Sequence, residues 1–241
     1  MKYKQPNVYL IAETKMTGAE ELFLNEIGAG GWTTNAPSCA EKLTELAGKA
    51  CYMSFNTKIN KNLTRVRENV NRDYIQNGLV AVGHGSVLEH ATMTFAFTNV
   101  SRIFTHELVR HRAGCAYSQQ SGRYVRVDEL ECYQPECFEP EELEMLTKAL
   151  ESIEIQYQDI ESKVFERVGN DFKTKKIVTS ALRRMLPNGQ NNIIIFSCNH
   201  RALRHIIQMR TSLHAEEEII YVFEKVREIV KKKFPNIYED I

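Results

Sequence analysis

Apolar and polar positions change period along this chain, and each change marks an element. "NVYLIAE" from Asn7 to Glu13 reads as a short strand, and "GAGGWTTNAPS" from Gly28 to Ser38 as a loop. "AEKLTELAGKACYMSF" places Leu43, Leu46, Ala47 and Ala50 at helical spacing. "NLTRVRENVNRDYIQNG" predicts a helix closed by Gly78. Ala91 to Val100 alternates and is rich in Thr and Phe, the pattern of a strand. Ser101 is a candidate N-cap for a helix "SRIFTHELVRHR", with Ile103, Phe104 and Leu108 on one side and Gly114 at its end. A long amphipathic helix starts near Pro140 and runs to Val168, and "FKTKKIVTSALRRMLPNG" gives another, stopped by Pro187. The unbroken Ile run in "NNIIIFSCN" predicts a buried strand. "HRALRHIIQMR" and "AEEEIIYVFEKVREIVKKKF" close the chain as helices. The mix is α+β. No regular βαβ alternation, G-x-G-x-x-G or G-x-x-x-x-G-K-[ST] is present, which argues against a Rossmann or P-loop domain.

Length and composition narrow the class. The 241 residues suit one substantial domain or two small ones, and 43% hydrophobic content is enough for a core. Lys plus Arg and Asp plus Glu are both 31, so any anion site is local, and a general nucleic-acid binder is disfavoured. No apolar run is long enough to span a bilayer, and "MKYKQPNVYLIAETK" lacks a signal-peptide core. The six cysteines, at 39, 51, 115, 132, 137 and 198, form no C-x-x-C pair and read as reduced, cytoplasmic thiols. His84 and His90, six apart, share no helix face, so no metal site is expected.

The chemistry concentrates in "RHRAGCAYSQQSGRY", Arg110 to Tyr124. Three adjacent basic groups repel one another unless an anion lies among them. On a continuous helix Glu107, Arg110 and His111 share a face. Ser121, Gly122 and Arg123 let backbone N–H groups and a guanidinium approach a phosphate. The plain alternative is a helix end with cations near its C-terminal dipole. A second cluster, Asn199, Arg201, Arg210 and His214, surrounds the helix "HRALRHIIQMR", with Arg210 and His214 at i, i+4. Asn199 also suits a simple N-cap.

These residues resemble the flavin-dependent thymidylate synthases of the ThyX type. "RHR…SGRY" is similar to that family's signature, and "GHGSVLEHATMTFAF", "ALRRMLP" and "NHRALRHIIQMRTSLHAEEEI" are similar to three further family segments, in the same order from about residue 80 to 220. The resemblance implies one domain over residues 1–241, with a mostly antiparallel sheet flanked by long helices, assembled as a homotetramer with shared sites. It implies conversion of dUMP to dTMP with 5,10-methylenetetrahydrofolate, FAD and NADPH. It places His84, Arg110, His111, Arg112, Asn199, Arg201, His205 and His214 at the flavin. It places Glu107, Gln119, Ser121, Gly122, Arg123, Arg183 and Arg210 at the nucleotide. Arg210 at the uracil edge and His84 are the implied catalytic groups.

Three departures bear on this. Eight residues, Ala113 to Gln120, separate RHR from Ser121 where the family usually has seven, so that stretch is expected to bulge. Ser118-Gln119 stands where Glu or Asn-Glu is common, and Glu107 where Gln is common. An acidic Glu107 beside a nucleotide leaves UMP or dCMP open as substrates. A non-enzymatic protein gripping nucleic-acid phosphates is the remaining class. Cys115 and Ser121 are read as non-nucleophilic, and the other cysteines as core or incidental thiols. Apolar stripes on the helices Pro140 to Val168 and Ala215 to Phe234 point to assembly.

Overall fold

The structure, a computed structural model, describes residues 1–64, 70–169 and 171–241. The strands are β1 (Lys2–Tyr3), β2 (Asn7–Glu13), β3 (Thr92–Ser101), β4 (Cys115–Gln119), β5 (Glu131–Cys132) and β6 (Asn191–Asn199). The helices are α1 (Ala19–Glu26), α2 (Cys39–Tyr52), α3 (Asn71–Asp73), α4 (Arg102–Leu108), α5 (Pro140–Val168), α6 (Phe172–Leu182), α7 (His200–Arg210), α8 (Glu217–Lys233) and α9 (Pro235–Tyr238). Four strands form one sheet in the order β2-β3-β6-β4, every neighbour antiparallel, and β1 pairs with β5 in a parallel two-residue ladder.

One face of the four-stranded sheet carries the core. Phe95, Phe97, Ile194, Phe196 and Cys198 point inward and meet Ile219, Val222, Phe223 and Val226 of α8. Phe97, Phe104 and Phe223 are mutually in contact, with ring centroids 5.5–6.4 Å apart. Burying each such side chain contributes about 1.5–3 kcal/mol. β6 alternates rather than being buried throughout: Ile193 and Ile195 are 48% and 40% exposed on the outer face, because strand geometry sends successive side chains to opposite sides. The apolar stripe of α8 is likewise consumed by the chain's own core, whereas α5 leaves Met145, Ile155 and Ile160 exposed.

Three predicted helices differ in extent. Between Asn62 and Gly78, residues 65–69 lie outside the described residues; the rest is α3 followed by a π-helical segment Tyr74–Val80. Gly78 sits inside that segment, and the chain turns instead at Gly83, where φ is 75°. α6 passes into a 3-10 turn at Arg183–Met185 ahead of Pro187. α4 stops at Leu108 rather than running through the RHR triplet. The Tyr117 hydroxyl lies 3.0 Å from the Leu108 carbonyl and also reaches that of His111, so a tertiary contact pulls the triplet out of the helix. The stretch after it does not bulge. Gly114, at φ 72°, absorbs the reversal, and β4 then pairs with β6 in unbroken register from Cys115↔Cys198 to Gln119↔Ile194.

Candidate active site

The short helix α4 positions the site. Ser101 caps it as expected, accepting from the Phe104 N–H at 3.1 Å. Ser101 is itself held by the buried Glu218 of α8, whose carboxylate accepts from the Ser101 N–H at 2.7 Å and from its hydroxyl. Burial, outweighing the Ser101 hydrogen bonds, raises the Glu218 carboxyl to about 7. The start of α4 is therefore tied to α8 just beyond the loop that bears His214.

At the other end of α4, Arg210 unites three predicted residues. Its Nε donates to His111 Nε2 at 3.0 Å, Nη1 to Glu107 Oε2 at 2.5 Å, and Nη2 to the Glu107 carbonyl at 3.1 Å. Burial first, then the Arg210 and His205 charges, pushes His111 down to about 4. His111 is thus neutral at pH 7, and its Nε2 is the acceptor. The His205 ring packs edge-on to His111, with centroids 6.3 Å apart. The common helical face expected for Glu107, Arg110 and His111 does not exist, since α4 ends before Arg110. Nor do Arg210 and His214 share a helix, since α7 ends at Arg210. Three of the five guanidinium N–H groups of Arg210 are used, which leaves one on each terminal nitrogen for an outside acceptor.

A second group lines a cavity of about 780 Å³ that includes Arg102, His106, Gln120, Gly122, Arg183 and Asn188. Arg102 and His106 stand one turn apart on α4. Where a Cβ on Gly122 would sit, Arg102 Nη2 is 3.3 Å away and Arg183 Cδ 3.7 Å. Burial and then the Arg183 charge hold Arg102 below the usual guanidinium range. Neither arginine has an ion-pair partner among the described residues, and Arg102 makes only a long 3.5 Å contact to the Gln120 carbonyl. Asp128, Glu129 and Glu131 also line the cavity, but Glu129 and Glu131 pair with Lys2 and Lys4 and none is paired with either arginine, so the two guanidinium groups side by side form a site for an anion. Ser121 forms the adjoining turn, its carbonyl accepting from Tyr124 and Val125 and its hydroxyl from the Arg123 N–H. Gln119 points back instead, donating to Thr105 Oγ1 at 2.9 Å. Sequence reasoning passed over Arg102; its one signal was a basic residue immediately after a helix cap.

Asn199, Arg201 and His84 are each engaged by neighbouring residues. Asn199 caps α7, accepting from the Ala202 N–H at 2.8 Å, so the plain N-cap reading holds. Its side chain also fills the space beside Gly114, where an added Cβ would come within 2.9 Å of Asn199 Cγ. Arg201 is paired with Glu89 at 2.6 Å and lies against Gly85. The His84 ring stacks on Tyr52, centroids 6.4 Å apart. Arg110, Arg112, His205 and His214 are exposed, and Arg110 and Arg112 have no ion-pair partner among the described residues. No helix of the described residues is long and apolar enough to cross a membrane.

Known proteins resemble this chain over most of its length. The chain is 35% identical over 239 residues to the flavin-dependent thymidylate synthase of Mycolicibacterium vanbaalenii, covering 97% of this chain and 88% of that one. It is 36% identical over 218 residues to the enzyme of that name from Mycolicibacterium gilvum, covering 88% and 80%. With that of Mycobacterium tuberculosis it shares 37% over 193 residues, 78% and 74% of the two chains. The similarity thus reaches well into the N-terminal eighty residues, outside the span of the motif segments. The family described as "Thymidylate synthase complementing protein" matches residues 35–236, which take in three strands of the four-stranded sheet and all of the site, and the chain belongs to it.

Proposed function

We infer that this protein is a flavin-dependent thymidylate synthase, converting dUMP to dTMP with 5,10-methylenetetrahydrofolate, FAD and NADPH. The Arg102–Arg183 pair at Gly122 carries the nucleotide side of this reading: a dianionic phosphate is the group that removes its mutual repulsion. Ser121 and Arg123 add a hydroxyl and a third cation at the same turn. Gly122 keeps the approach open, since any side chain there would enter the space between the two arginines.

The residues present also fit a flavin. Arg110 and Arg112 are exposed cations without carboxylates, suited to its phosphates. Asn199, Arg201, His205, His214 and His84 complete the flavin side, with Arg201 already oriented by Glu89. A bound flavin supplies the hydride chemistry. The chain's own part is charge and position. Arg210, fixed by Glu107 and His111, turns its remaining N–H groups to a uracil carbonyl, where charge builds as C5 becomes nucleophilic. One well-placed donor is worth about 3 kcal/mol at such a position. Glu107 is held by Arg210 through Oε2, so its carboxylate orients the guanidinium at the base, an arrangement that suits a uracil carbonyl better than a cytosine amino group.

The two halves use different sides of α4, and neither Arg210, Glu107 nor His111 lines the arginine cavity. A nucleotide with its phosphate in one subunit's cavity therefore takes its base contact from Arg210 of a second copy. The exposed apolar positions of α5 and of the outer sheet face, Tyr9, Ile11, Ile193 and Ile195, provide surface for a homotetramer. The whole chain then acts as one domain. Incubation with FAD, NADPH, methylenetetrahydrofolate and each of dUMP, UMP and dCMP, with products weighed, tests the reading. A methyl gain on dUMP alone is expected. A gain only on UMP or dCMP reassigns the substrate, and no gain on any of them removes the activity.

A further inference from the structure

We propose that Cys115 and Cys198 are a dithiol that closes reversibly to a disulfide, clamping β4 to β6 beside the flavin half of the site. The two residues are direct partners in the β4–β6 ladder. Asn199 N–H donates to the Gly114 carbonyl at 3.1 Å, and Gln120 N–H to that of Ile193 at 2.9 Å. Hydrogen-bonded and non-hydrogen-bonded pairs alternate along an antiparallel ladder, so Cys115 and Cys198 form a non-hydrogen-bonded pair, with Cα atoms about 4.5 Å apart. That separation lies at the short end of the range of about 4.4–6.8 Å that a disulfide spans. Both side chains point to the same face: Cys198 belongs to the main core cluster and Cys115 packs against it. Both are free thiols here, and each stands one residue from the Gly114–Asn199 contact.

The pair is asymmetric in a way that orders the chemistry. Cys115 is half-buried and reachable, while Cys198 is 2% exposed and reached only through its neighbour. With hydrogen peroxide as oxidant, Cys115 Sγ attacks one oxygen, the O–O bond breaks, and a sulfenic acid and water result. Cys198 Sγ then attacks Cys115 Sγ. The S–S bond forms, the S–O bond breaks, and the hydroxyl leaves as water with the Cys198 proton. Two thiols lose two electrons, and the peroxide gains them. A dithiol reductant reverses the bridge by exchange. A disulfide prefers a Cα separation of about 5.5–6 Å, so a closed bridge strains the ladder next to Gly114 and the Asn199 side chain that caps α7, and the oxidised form is expected to hold flavin less tightly. The bridge itself goes beyond the proposed activity; only its effect on flavin binding and turnover rests on that reading.

The full-length protein, purified in reductant and then freed of it, is exposed to hydrogen peroxide and mapped by peptide mass without reduction. The expected result is a Cys115–Cys198 peptide pair lighter by two hydrogens. It disappears with dithiothreitol, is absent from Cys115→Ser and Cys198→Ala, and accompanies a loss of FAD binding, read by flavin fluorescence, that reductant restores. Cys115→Ser is expected to keep its flavin and turnover through the same treatment. A sulfinic acid on Cys115 without a bridge, a bridge between other cysteines, or a Cys115–Cys198 bridge that leaves flavin binding unchanged overturns the proposal. If the unoxidised enzyme makes no dTMP, the activity reading fails, while the peptide map and flavin fluorescence still decide the thiol pair.

Discussion

Arg204 and Arg102 are both partly sequestered arginines on helices that border the site, yet they are treated in opposite ways. Arg204 is 8% exposed and its charge is answered: Asp240 takes two of its N–H groups at 2.8 and 2.6 Å, and the Ile237 carbonyl a further bond. Beside it His200 and Tyr238 are joined at 2.9 Å, so the C-terminal turn is latched to α7. Arg102 has another arginine for a neighbour and no carboxylate paired with it among the described residues. A buried guanidinium answered within its own chain holds the fold together. One left unanswered costs folding energy and is retained for a ligand.

Substitutions can break or sharpen this contrast. The largest effect is expected from Arg204→Ala, which leaves the buried Ile237 carbonyl without its partner and frees Asp240 to solvent, and should cost about 2–3 kcal/mol in a denaturant melt. A cost under about 1 kcal/mol would erase the distinction drawn here. Arg183→Ala should behave inversely. Loss of a charge-assisted phosphate contact should weaken dUMP binding by about 2 kcal/mol, roughly thirtyfold, in calorimetry. The melting temperature should hold or rise as Arg102 is relieved, and deoxyuridine, lacking the phosphate, should bind both forms alike.

Glu218→Gln tests the tie between α8 and α4. The wild-type carboxyl goes from 4.5 unfolded to about 7 folded, so the native state holds the extra proton between those values. Wild-type stability attributable to this group is fully present below 4.5 and falls as pH rises through 7. The Gln variant should lack that decline, the difference amounting to on the order of 2 kcal/mol in melts across the window. A pH-independent difference would mean that Glu218 does not titrate there. The smallest effect is expected from Glu107→Gln. Arg210 keeps the Glu107 carbonyl and His111, so kcat/KM for dUMP should fall by only about 1 kcal/mol, roughly fivefold. A switch toward dCMP would show that Glu107 reads the base directly.

Legibility in the sequence followed how local each cause was. α5 was readable to the residue because its start is local: Pro140 in the first turn and a capping box between Glu139 and Glu142. Ser101 and Asn199 were readable as caps for the same reason. β4 was not, because its inward residues are Cys115, Tyr117 and Gln119 and its outward ones Ala116 and Ser118, a weak apolar alternation. Its strand character comes from pairing with β6. The early end of α4 has no local signal either; it depends on Tyr117 reaching back from β4. The motif residues at the site were visible as a cluster of charge. Their division into an Arg210 half and an Arg183 half was not, because it depends on which side of α4 each neighbour meets. Arg102 needed the chain to fold Gly122 onto it before it meant anything.

Gly114 carries the consequence furthest from the chemistry. Its left-handed backbone disfavours a side chain, and the Asn199 amide occupies the volume a Cβ would take. The two demands are independent, so no compensating change at one relieves the other. In a saturation library selected for thymidine-independent growth, position 114 should therefore hold a single letter, while Ala113 and Ala116, both exposed, accept many. The register between RHR and SGR, which fixes where both halves of the site lie along β6, is thereby protected at one residue that touches no substrate.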